Sequence, residues 1–338
     1  MKLLFELLDS FGISGSEQEV RNIIEKEIRP YVDKVFVDNM GNLIAYKKGS
    51  RPRVMLAAHM DEVGLMVKRI TEKGVIYCTA VGGVTIDGLI GQRVNIRTRR
   101  GLIRGILTTL ETSSGKDIKK LPEIEDFFVD TGLDKGELEK LGVEIGAYLN
   151  FESQASHLGS DKIISGKALD DRVGCYILIE LAKRLKNVKH EIYFVFTVQE
   201  EVGLYGAQTS TFHIEPDWGI AVETTHANDI FEEPTRVIGN GPCITIKDGE
   251  FIANSCINGW LIDIAKKNKI PHQLEATEIG TTDATRMSVT KGGVPSTVVS
   301  IPIRNIHTTV GIAHKNDIDN AIRLLELLLR KPPLKCVV

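Results

Sequence analysis

Arg53-Val54-Met55-Leu56-Ala57-Ala58, followed at once by His59-Met60-Asp61, is the stretch that decides the fold. An apolar run with no polar alternation is the pattern of a strand covered on both faces, as in a parallel sheet between helical layers. The run stops abruptly at a histidine and a carboxylate, so a polar pair sits at the end of a central strand. In doubly wound sheets the ligand crevice lies beyond the carboxyl ends of the strands. The residues that follow each apolar run are therefore the first candidates for chemistry.

Toward the N-terminus, Ser16-Glu17-Gln18-Glu19 reads as a capping box opening a helix through Val20, Ile23, Ile24 and Ile28, stopped before Pro30. Val35–Val37 and Asn42–Tyr46 flank a turn-rich joint and predict a hairpin. From about Val63 to Leu158 the texture changes to short β segments, 74–80, 92–98 and 101–107, with one short helix opened by Asp134-x-x-Glu137 and closed by Gly142. Beyond Asp171 the α/β rhythm returns. Helices are expected through Val173–Leu185 and Ile257–Lys266, strands over 192–198, 218–222 and 296–302, and a last amphipathic helix through Ile318 and Leu329. The expected architecture is a mixed-sheet α/β domain, residues 1–62 plus 159–338, interrupted by a β-rich barrel- or sandwich-like insertion, residues 63–158.

Composition narrows the function classes. Forty-two Lys+Arg stand against 45 Asp+Glu, a net charge of −3, with no basic block dense enough to track phosphates; nucleic acid is excluded as the expected partner. Glu6 and Asp9 interrupt the apolar N-terminus and no stretch approaches 18 apolar residues, so neither a signal peptide nor a membrane span is expected. Five scattered cysteines, Cys78, Cys175, Cys243, Cys256 and Cys336, suggest neither a disulfide framework nor a cysteine zinc knuckle. A reducing, cytoplasmic setting is the expectation.

The strand ends supply a coherent set: His59 and Asp61; Glu200 and Glu201; Glu223; and His307, with Asp170-Asp171 opening a helix. Two divalent cations a few ångströms apart repel each other, and several carboxylates, one of them shared, are needed to neutralise that charge while neutral imidazoles complete the coordination. Mixed histidine and carboxylate donors favour zinc, cobalt or manganese. Each element alone also reads more plainly: Asp170-Asp171 as charge at a helix N-terminus, Glu223 as a solvated strand end, and His226 or His314 as rivals to His307. Adjacent Glu200 and Glu201 would point to opposite faces of a regular strand, so both face one site only if the backbone turns there. A glycosidase needs two carboxylates and aromatic sugar platforms, and this chain has only Trp218 and Trp260. No G-x-S-x-G elbow is present for a serine hydrolase.

The strings Ala58–Gly64, Lys167–Gly174, Val198–Gly203, Gly280–Ala284 and Ile301–Thr308 resemble, in order and spacing, the M42 family of dinuclear metallo-aminopeptidases, whose relatives often carry endoglucanase labels. The resemblance covers essentially the whole chain. It implies a metal-dependent aminopeptidase acting on peptides, with two zinc or cobalt ions bridged by Asp170. His59 and Glu201 would complete one ion, and Glu223 and His307 the other. Glu200 would be the general base, and Asp61 would hold the His59 ring. It further implies a non-proline cis peptide after Asp170, a dimerisation role for the insertion, and dimers that build up to a dodecamer. Most better-known members carry Asp where this chain has Glu223; in the wider clan glutamate there is found among carboxypeptidases, so a carboxypeptidase or deacylase of the same clan is the alternative activity. The specificity pocket is expected around Gly249–Asn258 and Gly280–Arg286, with Lys247 and Arg286 as surface charges.

Overall fold

The computed structural model describes residues 1–334 and 336. Its main body is an eight-stranded mixed sheet in the order Lys34–Val37, Leu43–Lys47, His190–Thr197, Ser50–His59, Trp218–His226, Ser296–Ile303, Cys243–Lys247, Gln273–Ala276. The four central strands run parallel, so their carboxyl ends share one edge. The Ser50–His59 strand shows why its sequence is uniformly apolar. Val54, Leu56 and Ala58 join the core under the helices Lys2–Asp9, Gln18–Ile28, Leu169–Arg184 and Lys315–Arg330, while Met55 and Ala57 pack on the opposite face with Ala207, Ile214 and Met287. Both faces are covered, so the period-two alternation of a half-exposed strand is absent.

Six antiparallel strands between Gly64 and Phe151 close into a barrel, filled by Leu65, Val67, Ile76, Val94, Ile96, Leu107, Val129 and Leu149. The Asp134 cap forms as expected: its carboxylate accepts from Glu137 N–H while the Glu137 side chain accepts from Asp134 N–H. The Ser16 box does not. The helix starts at Gln18 without a side-chain cap, because Glu17 and Glu19 are drawn to donors elsewhere, Gly15 and Gln199 N–H for the first and Phe11 N–H for the second.

Two further features differ from expectation. The N-terminal segment forms an amphipathic helix, Lys2–Asp9, burying Leu4, Leu7 and Leu8 while Glu6 and Asp9 face solvent. Where no disulfide framework was expected, Cys256 and Cys336 form one disulfide across 80 residues, and Cys78, Cys175 and Cys243 are free and buried. Local spacing carries no information about so distant a pair. Among the described residues no helix is long and apolar enough to cross a membrane.

Candidate active site

At the carboxyl edge of the sheet the strand-end residues converge. His59 closes its strand and is almost fully buried; its Nε2 lies 3.1 Å from Asp170 Oδ1 and 3.6 Å from Glu223 Oε2. His307 follows the Ser296–Ile303 strand, and its Nε2 lies 3.2 Å from Asp170 Oδ2 and 3.4 Å from Glu201 Oε1. The two oxygens of Asp170 thus face two different histidines, each backed by its own glutamate. Two donor sets follow, His59–Asp170–Glu223 and Asp170–Glu201–His307. This corrects the expected pairing: the five residues gather as anticipated, but Glu223 goes with His59 and Glu201 with His307. Both strands flanking the His59 strand contribute: Glu223 lies on Trp218–His226, and Glu201 on the turn after His190–Thr197, beyond the left-handed Gln199.

Asp170 and Asp171 take opposite roles. Asp170 faces the site, whereas Asp171 is fully buried behind it and accepts from His59 N–H and Gly174 N–H. The peptide between them is cis. Asp61 meets the His59 ring chiefly through its main chain. His59 Nδ1 lies 3.1 Å from the Asp61 main-chain carbonyl and 3.6 Å from its carboxylate. The Asp61 side chain instead accepts from Glu200 N–H, Glu201 N–H and the Ser14 hydroxyl. A ring donating from Nδ1 to that carbonyl leaves Nε2 free to ligate.

Glu200 stands beside both sets without belonging to either, 3.9 Å from His59 Nε2 and grouped with Glu223 and Asp283. Asp283 is a residue the site assignment missed. It is fully buried, accepts from the Thr197 hydroxyl, and donates its backbone N–H to Glu223 Oε1. The signal was present in the Gly280–Ala284 string, but Asp283 opens a short helix and follows no apolar run.

The electrostatics show crowded like charge. Burial, and then neighbouring carboxylates, push Glu200 and Glu223 well above the usual carboxylate range and Glu201 up to about 7. Burial raises Asp283 to about 6. Burial also works against the charge on His307, but Asp170 and Glu201 outweigh it and raise the imidazole to about 9. For Asp170 the hydrogen bonds to both imidazoles overcome burial and hold it far below its ordinary value. Glu201 Oε1 is buried with no hydrogen-bond partner. An orphaned carboxylate oxygen among mixed imidazole and carboxylate donors fits divalent cations of the zinc or cobalt type.

These residues form one end of a cavity of about 470 Å³. Its far end differs in part from the expected specificity pocket. Glu250 and the 280–282 segment with Arg286 line it, but Asn258 is buried in a helix, bonded to Thr245 and Thr297. Lys247 is tied to Glu278 outside the cavity. Arg236 and Glu275, which the sequence reading passed over, form an ion pair at 2.9 Å there, with Glu275 also accepting from Thr225 and Thr245. Glu275 lies on the short edge strand Gln273–Ala276 and Arg236 on the loop before Cys243–Lys247, neither of which registers as an apolar run.

The chain is similar to known proteins over nearly its whole length. Residues 41–324 match the family described as M42 glutamyl aminopeptidase. Lysyl aminopeptidase of Pyrococcus furiosus is 34% identical, covering 98% of this chain and 96% of its own. Among solved structures, the aminopeptidase APDkam598 of Desulfurococcus kamchatkensis is 36% identical with a TM-score of 0.93, covering 98% and 94% of the two chains. The Pyrococcus horikoshii TET1 peptidase, which can assemble into a tetrahedron or a large octahedral shell, is 31% identical with a TM-score of 0.88, covering 98% and 99%.

Proposed function

The chain belongs to the M42 glutamyl aminopeptidase family, and from that premise we propose that it removes N-terminal residues from peptides, using two divalent cations, zinc or cobalt, with Glu200 as general base. His59, Asp170 and Glu223 would hold one cation, and Asp170, Glu201 and His307 the other. Such cations, when bound, supply Lewis-acid polarisation of a carbonyl and acidify a water molecule. Glu200 takes a proton from the attacking water and returns it to the leaving amine. Asp61 holds the backbone of Glu200 and Glu201, and its carbonyl fixes the His59 ring.

The observation that carries this reading is the split of Asp170 between two histidine–glutamate sets, with Glu200 left over beside them. A closed structural site would leave no spare carboxylate. Charge favours the amino end of a substrate. Beyond the two donor sets the cavity lining carries Asp248, Glu250 and Glu275 against Arg236 and Arg286, an acidic balance that favours an α-ammonium over a terminal carboxylate and counts against the carboxypeptidase alternative. The absence of aromatic platforms among the cavity-lining residues counts against a glycosidase.

A panel of short peptides with free and acetylated N-termini, assayed with and without chelator, tests the proposal. Release of the first residue from free peptides only, abolished by chelator, is expected; equal rates on acetylated peptides would overturn it. By extension from the shell-forming relative we also propose a homo-oligomer built from dimers, up to a dodecamer. Exposed Leu102 and Ile106 on the outer face of the barrel supply apolar surface for it. Light scattering should give a particle far heavier than the 37.4 kDa chain.

A further inference from the structure

The turn carrying Glu200 and Glu201 has to leave the strand so that both glutamates face one site, and its backbone shows how. Four successive N–H groups, those of Val198, Gln199, Glu200 and Glu201, donate to side chains instead of to a neighbouring strand. The acceptors are Asn42 for Val198, Glu17 for Gln199, and Asp61 for both glutamates. Gln199 sits at φ 55°, in the left-handed region, and reverses the chain direction just before the general base.

Glu17 comes from the segment between the first two helices, which is held rigidly behind the site. Gly12 and Ser14 pair with Glu62 through their backbones. The buried Arg172 donates to the carbonyls of Leu7 and Gly12 and to the Ser10 hydroxyl, and Lys167 bonds the Ser10 carbonyl and Glu62. From this anchored segment Ser14 reaches Asp61 Oδ2 at 2.6 Å. Glu17 Oε1 accepts Gly15 N–H at 2.6 Å and Gln199 N–H at 3.3 Å. Glu17 is buried beside Asp61, and no cation lies within salt-bridge distance among the described residues. Its position raises its pKa through burial and through the charge of Asp61. A buried carboxylate kept next to another carboxylate is costly unless its acceptor capacity is needed.

We propose that Glu17 is a positioning residue for the reaction: by accepting the Gln199 N–H it sets where the Glu200 carboxylate stands, without touching substrate or cations. The role rests on Glu200 being the general base. It requires an acceptor at Oε1, not a charge, so an amide oxygen serves as well.

The test uses the full chain loaded with cobalt. Wild type is first assayed for chelator-sensitive release from an aminoacyl amide, which tests the proposed function alone. Glu17→Ala should then lower kcat about 10-fold or more, keep KM within about two-fold, and retain the wild-type cobalt content. Glu17→Gln should recover kcat to within about three-fold of wild type. Glu19→Ala, which removes a neighbouring anchor to Phe11 but leaves Gln199 untouched, should keep wild-type kcat. Unchanged kcat in Glu17→Ala, a loss that follows cobalt content, or a Glu17→Gln variant as slow as Glu17→Ala would each overturn the proposal. If Glu17→Ala does not fold, Glu17→Asp replaces it: one methylene shorter, it should lose kcat with KM and cobalt kept, and wild-type kcat there overturns the proposal as well.

Discussion

The two donor sets share Asp170 but are built from different material. His59 and Glu223 come from adjacent parallel strands, and both side chains are under 5% exposed. His307 lies on a loop at φ 58° with its side chain 28% exposed, and Glu201 lies on the turn after its strand. The His59 ring is fixed at Nδ1 by the Asp61 carbonyl. The His307 loop is held against the barrel, where its carbonyl accepts Thr85 N–H and its ring faces Gly83. One set is thus part of the sheet, and the other depends on loops braced by the β-rich insertion. Cation retention should be unequal between them even though the donor types match.

The largest effect should come from removing what the sets share. Asp170→Ala is expected to lose both cations and all activity, measured as metal per chain after gel filtration. Retention of one equivalent would show that Asp170 does not bridge, and the comparison of two linked sets would fail. Glu200→Gln comes next. Turnover should fall by ~10²–10⁴-fold, the usual weight of general acid–base catalysis, while both cations stay bound. Loss of metal there would make Glu200 a ligand.

The comparison is sharpened by the two histidines. His59→Ala removes a buried ring at the end of a central strand and should lose one equivalent together with several degrees of melting temperature. His307→Ala should lose one equivalent with little change in melting temperature. In wild type, chelator should strip the His307 set first, giving a two-phase loss. Single-phase loss, or equal destabilisation by the two variants, would contradict the difference in support.

The same difference explains what could be read in advance. The central strands were legible because burial on both faces leaves a continuous apolar run, and His59, Glu200, Glu201, Glu223 and His307 could be found as the residues just beyond such runs. The pairing was not legible, because sequence order says nothing about which strand ends are neighbours: Glu201 follows a strand adjacent to that of His59, yet its side chain swings to the other set through a left-handed Gln199. Asp283, Arg236 and Glu275 were missed since they sit on a short helix, a loop and an edge strand with no periodic signal. The helix Lys2–Asp9 was hidden in another way. Glu6 and Asp9 break an apolar run but fit a helical stripe through Leu4, Leu7 and Leu8.

Acidity offers a smaller test. In the metal-free chain Glu201 and Asp283 keep protons up to about 7 and about 6, above their ordinary 4.5 and 3.8, and His307 up to about 9, above 6.5. The folded state therefore binds more protons than the unfolded chain across roughly pH 5 to 9, and its stability falls as pH rises through that window. Asp170 is shifted the other way, but its contribution is lost only below its ordinary 3.8. The chelated protein should melt lower at pH 9 than at pH 6, with a flatter dependence once cations are bound. Calorimetry showing a rise, or equal slopes with and without metal, would break the assignment of crowded charge to this centre.

The smallest effect expected lies at the contact between barrel and loops. Gly82 has φ 76°, and a Cβ there would stand 2.9 Å from Val63 Cγ1 and 3.1 Å from Glu201 Cβ. Gly82→Ala therefore combines a left-handed backbone cost of about 1 kcal/mol with pressure on one ligand of the loop-built set alone. If the insertion braces that set, the His307-side cation should bind up to about 10-fold more weakly, since 1.4 kcal/mol corresponds to that factor in an equilibrium constant. The His59-side cation should be unaffected, because no residue of its set meets the new methyl. Competition titration with a chromogenic chelator separates the two steps. Equal weakening of both would place the strain in Asp170 instead, and no weakening would show that the loop set stands without the barrel.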